Sequence, residues 1–464
     1  MTPTPHLFHE PRAALAAAFL TAALSSAAFA APSASEVAEL GTTLTEIGAI
    51  KAGNADGSIP AFDPAKAIIK PVEPYKPISP AGGFPYTDPF AAEKPLFSIN
   101  AANVDKYGDK VDDGTKALMK KYPGYRIDVY PTHRTALLPA SVRENTMKFA
   151  TRPKLVGDGD GISDAHAQIP FPIPKSGKEA MWNGQLRYKA PYERADSYGT
   201  WLVDSAGNKT NIFKAMVDYE HQYWNPEVPD PQYFLRLINT NTAPAAKAGE
   251  LQMRFSPLRM DTNEPNAWTY SSGQRRVRLA PEFKYDTVAA TAGGIELYDE
   301  IMGFDGRMDR FDFKLLGRRE MYIPYNAYKA QQTPIETVMG NEFVNPDVLR
   351  WELHRVWVVE ATLKEGKRHI YAKRTFYVDE DSWVAVASDQ YDARGSLFRS
   401  GFVYTFPLYD IPAPNATTQS VYDFTSGGYN IAGMLGAYDV GIRFIEPLTA
   451  TQWSSEALAG AGVR

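Results

Sequence analysis

The residue types that could do chemistry are sparse in this chain. Past residue 30 the histidines are His133, His166, His221, His354 and His369, and no two have the spacing of a metal-ligand pair. A lone strand histidine such as His354 reads as structural. Cysteine is absent, which excludes thiol nucleophiles, thiolate metal sites and disulfides. There is no Gly-x-Ser-x-Gly elbow, no phosphate-binding Gly-x-x-x-x-Gly-Lys loop and no His-Glu-x-x-His helix. One acidic run, Asp158-Gly159-Asp160-Gly161-Ile162-Ser163-Asp164, sets carboxylates at its first, third and seventh positions, where they could wrap calcium. The EF-hand pattern also needs an oxygen ligand at the fifth position and Glu at the twelfth, and Ile162 and Ile169 stand there. A solvated turn is the favoured reading. The expectation is a protein that is not an enzyme, with no catalytic residue, metal or cofactor.

What the chain offers instead is apolar side chains in alternating register. Tyr233, Leu235 and Leu237 share one parity, against Arg236. Leu251, Met253 and Phe255 oppose Gln252, Arg254 and Ser256, and Phe311, Phe313 and Leu315 oppose Asp312 and Lys314. One apolar and one wet face is the pattern of a curved antiparallel sheet. The apolar face either packs under helices as core or lines a cavity for a hydrophobic ligand. In the second case Tyr233, Leu235, Leu237, Leu251, Met253, Phe255, Phe311 and Phe313 are the candidate ligand contacts.

Those faces need strands to present them, most clearly over 351–406. Residues 351–360 are β-branched and aromatic without Gly or Pro, and Glu365-Gly366-Lys367 turns the chain. Residues 369–378 alternate, with Ile370, Ala372, Phe376 and Val378 on one face and His369, Lys373 and Thr375 on the other. Asp379-Glu380-Asp381 and Asp392-Ala393-Arg394-Gly395 turn it twice more, as in an antiparallel meander. Further strands are predicted at 185–192, 198–204, 209–223, 232–240, 250–259, 267–270, 275–279, 309–316 and 320–324, with Ser205-Ala206-Gly207-Asn208 as a hairpin turn. Helices are predicted at 112–122, from about residue 139, and from 177 to about 182, with short ones behind Ser33 and Thr333. The fold class is therefore mainly β with helices.

Residues 13–27 are almost wholly Ala, Leu and Phe, after Arg12 and before the small-x-small run Ala28-Phe29-Ala30. That order predicts a secretory signal peptide cut after Ala30, hence an exported, periplasmic protein. The alternative is a membrane anchor, but the run is short and no stop-transfer charges follow it. Without Cys the mature protein cannot be a lipoprotein. Residues 60–95 hold nine prolines and are extended, yet Ile68, Ile69, Phe84, Tyr86, Phe90, Leu96 and Phe97 tie them to the main domain. The chain divides into a leader (1–30), a Pro-rich, partly helical region wrapping the main domain (31–175) and an antiparallel sheet domain (176–464). Net charge is −5 with signs mixed, which excludes a nucleic-acid footprint. Arg275-Arg276-Val277-Arg278 reads as a solvated strand face.

Several of these segments resemble a family of uncharacterised exported bacterial proteins. They include Leu40-Gly41-x-x-Leu44-Thr45-x-x-Gly48-Ala49, Lys51-Ala52-Gly53-Asn54-Ala55-Asp56-Gly57, Tyr130-Pro131-Thr132-His133-Arg134-Thr135, Ile169-Pro170-Phe171-Pro172-Ile173-Pro174 and Asp389-Gln390-Tyr391-Asp392. The strand-turn-strand from Arg374 to Tyr391 is similar to outer-membrane lipoprotein-sorting carriers of the LolA/LolB type. The resemblance implies an unclosed β-barrel covered by helices that holds a lipid, an acyl chain or another hydrophobic molecule. It also implies partners in envelope transport: an exporter of the resistance-nodulation-division type and outer-membrane proteins. It carries no catalytic residues. The alternative is a non-catalytic structural partner of an export complex, with a filled core.

Overall fold

The computed structural model describes Met1 and residues 31–67, 86–280, 283–408, 413–433 and 442–461. The expected cleavage site at Ala30 lies outside the described residues, as do Ile68, Ile69 and Phe84.

The first strands are β1 (Phe97–Asn100), β2 (Arg126–Val129), β3 (Lys154–Val156) and β4 (Gly161–Ser163). A first meander follows: β5 (Tyr192–Val203), β6 (Lys209–Glu220), β7 (Tyr233–Ala243), β8 (Leu251–Pro257), β9 (Asn266–Ser271) and β10 (Arg276–Leu279). A second comprises β11 (Phe311–Pro324), β12 (Trp351–Leu363), β13 (Lys373–Asp379), β14 (Ala385–Tyr391), β15 (Leu397–Leu408), β16 (Ala413–Asp423) and β17 (Tyr429–Ala432), and β18 (Ile442–Phe444) comes last. Apart from the β3–β4 hairpin, all join one sixteen-stranded sheet. The meanders meet where β17 lies antiparallel to β5, from Tyr429↔Val203 to Ala432↔Thr200, and β18 continues along β5. Their far ends, β10 and β11, do not pair with each other among the described residues. The result is a large, curved, unclosed antiparallel sheet with a few helices, the class that the patterning predicts.

Helices cover the second meander on both faces. The helix Asp113–Lys121 is capped by the Asp112 carboxylate, which accepts from the Thr115 N–H at 2.7 Å. It buries Leu118 and Met119 in a cluster with Val356 and Val358 of β12. The helix Gly177–Gln185 opens on a Ser176/Glu179 capping box and buries Ala180, Met181 and Trp182. They pack in a second cluster with Trp357, Val359 and Ala361, which alternate with the first set along β12. That strand is core on both faces, which is why it reads as a nearly unbroken apolar run. The N-terminal part joins the same framework. β1 and β2 pair, and β2 bridges β12 at Trp351↔Val129. The Trp383 indole N–H donates to the Ile47 carbonyl at 3.1 Å.

Four expectations are corrected. Residues 185–192 are not a strand: the helix runs to Gln185, and Pro191, which has no ladder donor, delays the strand to Tyr192. The segments 309–316 and 320–324 are one strand, β11, bent by a bulge between Leu315 and Gly317. His369 and Ile370 precede β13, and Ile370 is 40% exposed. The acidic run spans the turn and second strand of the β3–β4 hairpin, with Asp158 exposed as a solvated turn requires but Asp160 buried.

Candidate functional site

A cavity of about 130 Å³, within a larger recess open to solvent, lies against one face of β5–β8. Along β6 the lining residues Phe213, Val217 and Tyr219 alternate with outward ones, as a pleated strand requires. Leu235 and Leu237 of β7 and Tyr198 and Thr200 of β5 extend the wall, which also includes Leu186, Trp224 and Phe234. The opposite side is the long connection from β10 to β11, which contributes Ala289, Ala292, Tyr298, Ile301, Met302 and Phe304. A connection of this length inside a compact fold is uncommon and points to a role. Three acids fasten it to the sheet. Glu296 accepts from Gln419 and, at 3.0 Å, from Asn430. Asp299 accepts from Arg374 at 2.9 Å and His369 at 3.0 Å, and Glu300 from the Tyr371 hydroxyl at 2.8 Å. Burial pushes the Glu296 carboxyl up to about 8. The Arg374 guanidinium and the hydrogen bond with His369 instead hold Asp299 below the usual carboxylate range, despite its burial.

The register divides the residues that parity had grouped on one apolar face. Across β7 and β8, Leu237 stands opposite Arg254, Asn239 opposite Gln252, and Arg236 opposite Phe255. Opposed residues share a face. Leu235 and Leu237 therefore line the cavity together with Gln252 and Arg254. Leu251, Met253 and Phe255 lie on the other face, against Trp453 and Leu458. A bulge between Tyr233 and Leu235 sends Tyr233 to that face too, its ring 5.2 Å from Phe255. Phe311 and Phe313 sit behind the lining residue Phe304, with 5.9 Å between the Phe304 and Phe313 rings. Sequence reasoning missed the β10–β11 connection and the cavity's polar end. The available signals were the loss of alternation around Gly293-Gly294 and the cationic pair Arg187 and Lys189 beside apolar neighbours.

That polar end gathers Gln185, Arg187, Lys189, Glu193, His221, Arg254 and Asp305. Arg254 pairs with Asp305. Arg187 donates to the Gly184 carbonyl at 3.0 Å. His221 donates from Nδ1 to the Phe234 carbonyl at 3.2 Å, which leaves Nε2 as an acceptor. Burial lowers this imidazole to about 3 and the Lys189 ammonium to about 8, and it raises Glu193. The buried atoms Gln185 Nε2, Arg187 Nε, His221 Nε2 and Arg254 Nε have no hydrogen-bond partner.

Elsewhere, His354, Asp379 and Asp381 bring ligand-type atoms within 4.8 Å of one another, a juxtaposition invisible in the sequence. Arg134 grips Asp381 through two bonds of 2.7 and 2.8 Å, Ser382 donates to Asp379, and His354 meets Glu352 at 3.1 Å. This is a buried ion-paired belt that joins the N-terminal part to the β13–β14 turn. The candidate calcium carboxylates are likewise engaged by cations. Asp158 meets Lys364 at 3.0 Å, Asp160 accepts from Arg307 at 2.8 Å, and Asp164 meets Lys154 at 3.5 Å. Among the described residues no helix is long and apolar enough to cross a membrane.

The family model described as "Protein of unknown function (DUF1329)" matches residues 98–459. An uncharacterized protein of Pseudomonas aeruginosa is 39% identical over 454 residues, which is 95% of this chain and 96% of that one. A solved DUF1329 family protein from Desulfovibrio piger is similar with a TM-score of 0.42 at 15% identity, covering 60% of this chain and 95% of that one. A LolA superfamily protein from Nitrosomonas europaea gives a TM-score of 0.37 at 10% identity, covering 61% and 99%.

Proposed function

The chain belongs to the DUF1329 family, and we propose that it is a periplasmic carrier or binding protein for a lipid, an acyl chain or another hydrophobic molecule, working in envelope transport. The observation that supports this is the cavity, with aromatic and aliphatic side chains on both the sheet and the covering connection. Its role is binding rather than catalysis, and Leu235 and Leu237 are the contacts carried over from the sequence. An exporter of the resistance-nodulation-division type and outer-membrane proteins are the proposed partners. Solvent extraction of the purified protein followed by mass spectrometry should yield a lipid near one equivalent. A lipid-free protein that also takes up no apolar fluorescent probe would overturn the reading. The structural-partner alternative would then lead, since β12 is packed on both faces by the two large clusters.

A further inference from the structure

We propose that the ligand of this cavity is an acidic amphiphile, with its apolar tail among the β5–β7 side chains and an oxyanion head, carboxylate or phosphate, between Arg187, Lys189 and Arg254. The inference rests on the carrier reading above and names the class of molecule. The cavity lining combines apolar and cationic side chains. Phe213, Val217, Leu235, Leu237 and Ile301 offer only hydrocarbon to a ligand. The polar end described above holds three cations, and only Arg254 has an ion-pair partner there, Asp305. Lys189 forms no hydrogen bond or ion pair among the described residues. Glu193, the remaining acid of that end, already accepts from the Ala190 N–H at 2.9 Å, and its burial favours the neutral form.

Three buried donors of the residues at this end have no hydrogen-bond partner: Gln185 Nε2, Arg187 Nε and Arg254 Nε. Buried donors without partners are rare in folded proteins, and a cation out of water is costly unless an anion joins it. Each is more costly in a cavity with hydrocarbon walls, where water is poorly held. A ligand that brings its own oxyanion removes both penalties, because guanidinium and ammonium groups bind carboxylate and phosphate through charge-assisted bonds. His221 Nε2 adds an acceptor for a hydroxyl beside the oxyanion. The connection bearing Ile301 and Phe304 then covers the tail.

The test compares cis-parinaric acid with its methyl ester, by fluorescence titration of the delipidated full chain. The acid should bind at least about tenfold more tightly than the ester. Lys189→Met and Arg187→Met should each weaken the acid about tenfold while changing the ester less than about twofold. Melting curves establish that each variant is folded. If Arg187→Met is not, Lys189→Met decides alone. Laurate and dodecyl phosphate compete against the bound acid to tell a carboxylate from a phosphate head, and stronger displacement by either supports the proposal. Displacement by inorganic phosphate alone would overturn it, because that ligand has no tail. Equal binding of acid and ester would overturn the acidic head and leave the apolar carrier standing. An acid preference that survives both substitutions would place the head elsewhere and overturn the assignment. Binding of neither probe would overturn the carrier reading and this one together.

Discussion

Leu237 and Phe255 show what residue-level patterning can and cannot reveal. Alternation within each strand was legible, since Tyr233, Leu235 and Leu237 of β7 and Leu251, Met253 and Phe255 of β8 are apolar at every other position. The register between them was not, and a slip of one residue reverses which face each stripe occupies. Leu237→Ala should weaken uptake of an apolar fluorescent probe about tenfold with little loss of stability, because it enlarges a space already open. Phe255→Ala should leave uptake unchanged and cost about 2 kcal/mol in denaturant titration, by removing packing on Trp268 and Trp453. The opposite pattern would put Phe255 on the cavity side. Glu296 gives a pH signature. Burial in the folded chain raises its carboxyl from the usual 4.5 to about 8. Between those values the folded state holds a proton that the unfolded chain has lost, so this group's contribution to stability falls as pH rises through that window. Glu296→Gln keeps the shape without the titration. It should melt higher than the parent at about pH 8.5, and the gap should shrink toward about pH 5. A gap independent of pH would mean that Glu296 is ionised throughout.

At the scale of elements, the helices were readable because their ends carry local chemistry: Asp112, Ser176 and Ser33 each accept from the first turn they cap. The β10–β11 connection has no period to read, and its path is set by acids that meet basic and amide groups far away in sequence. β16 was missed for a related reason. Thr418, Gln419 and Ser420 are buried polar residues in succession, which masks the alternation. The belt at Arg134 is likewise an inter-element feature. Arg134→Met would leave Asp381 buried without the cation that grips it, and should cost about 3–5 kcal/mol in urea titration. Adding Asp381→Leu should recover part of that loss. If the double variant is no better than the single one, the pair does not act as a unit.

The whole molecule has a filled half and a hollow half. The fold class was legible in the sequence, but the junction of β17 with β5 was not, since pairing between distant strands leaves no local mark. The hollow half is backed by the C-terminal segment, where Trp453 and Leu458 cover Leu251, Met253 and Tyr270. Deleting residues 449–461 should raise amide hydrogen exchange in β8–β10 while β12–β15 stay protected. Uniform loss of protection would mean that the two halves unfold together. The hollow half also contains Trp224, in the cavity wall. Trp182 and Trp383 share its packed cluster but do not line the cavity, and Trp351 lies in the other large cluster. Cargo and chromophore thus share one compartment. A polyene ligand absorbing near indole emission would quench Trp224 by energy transfer, so the protein carries its own optical gauge of loading, and its arrival and departure can be timed without attaching a dye.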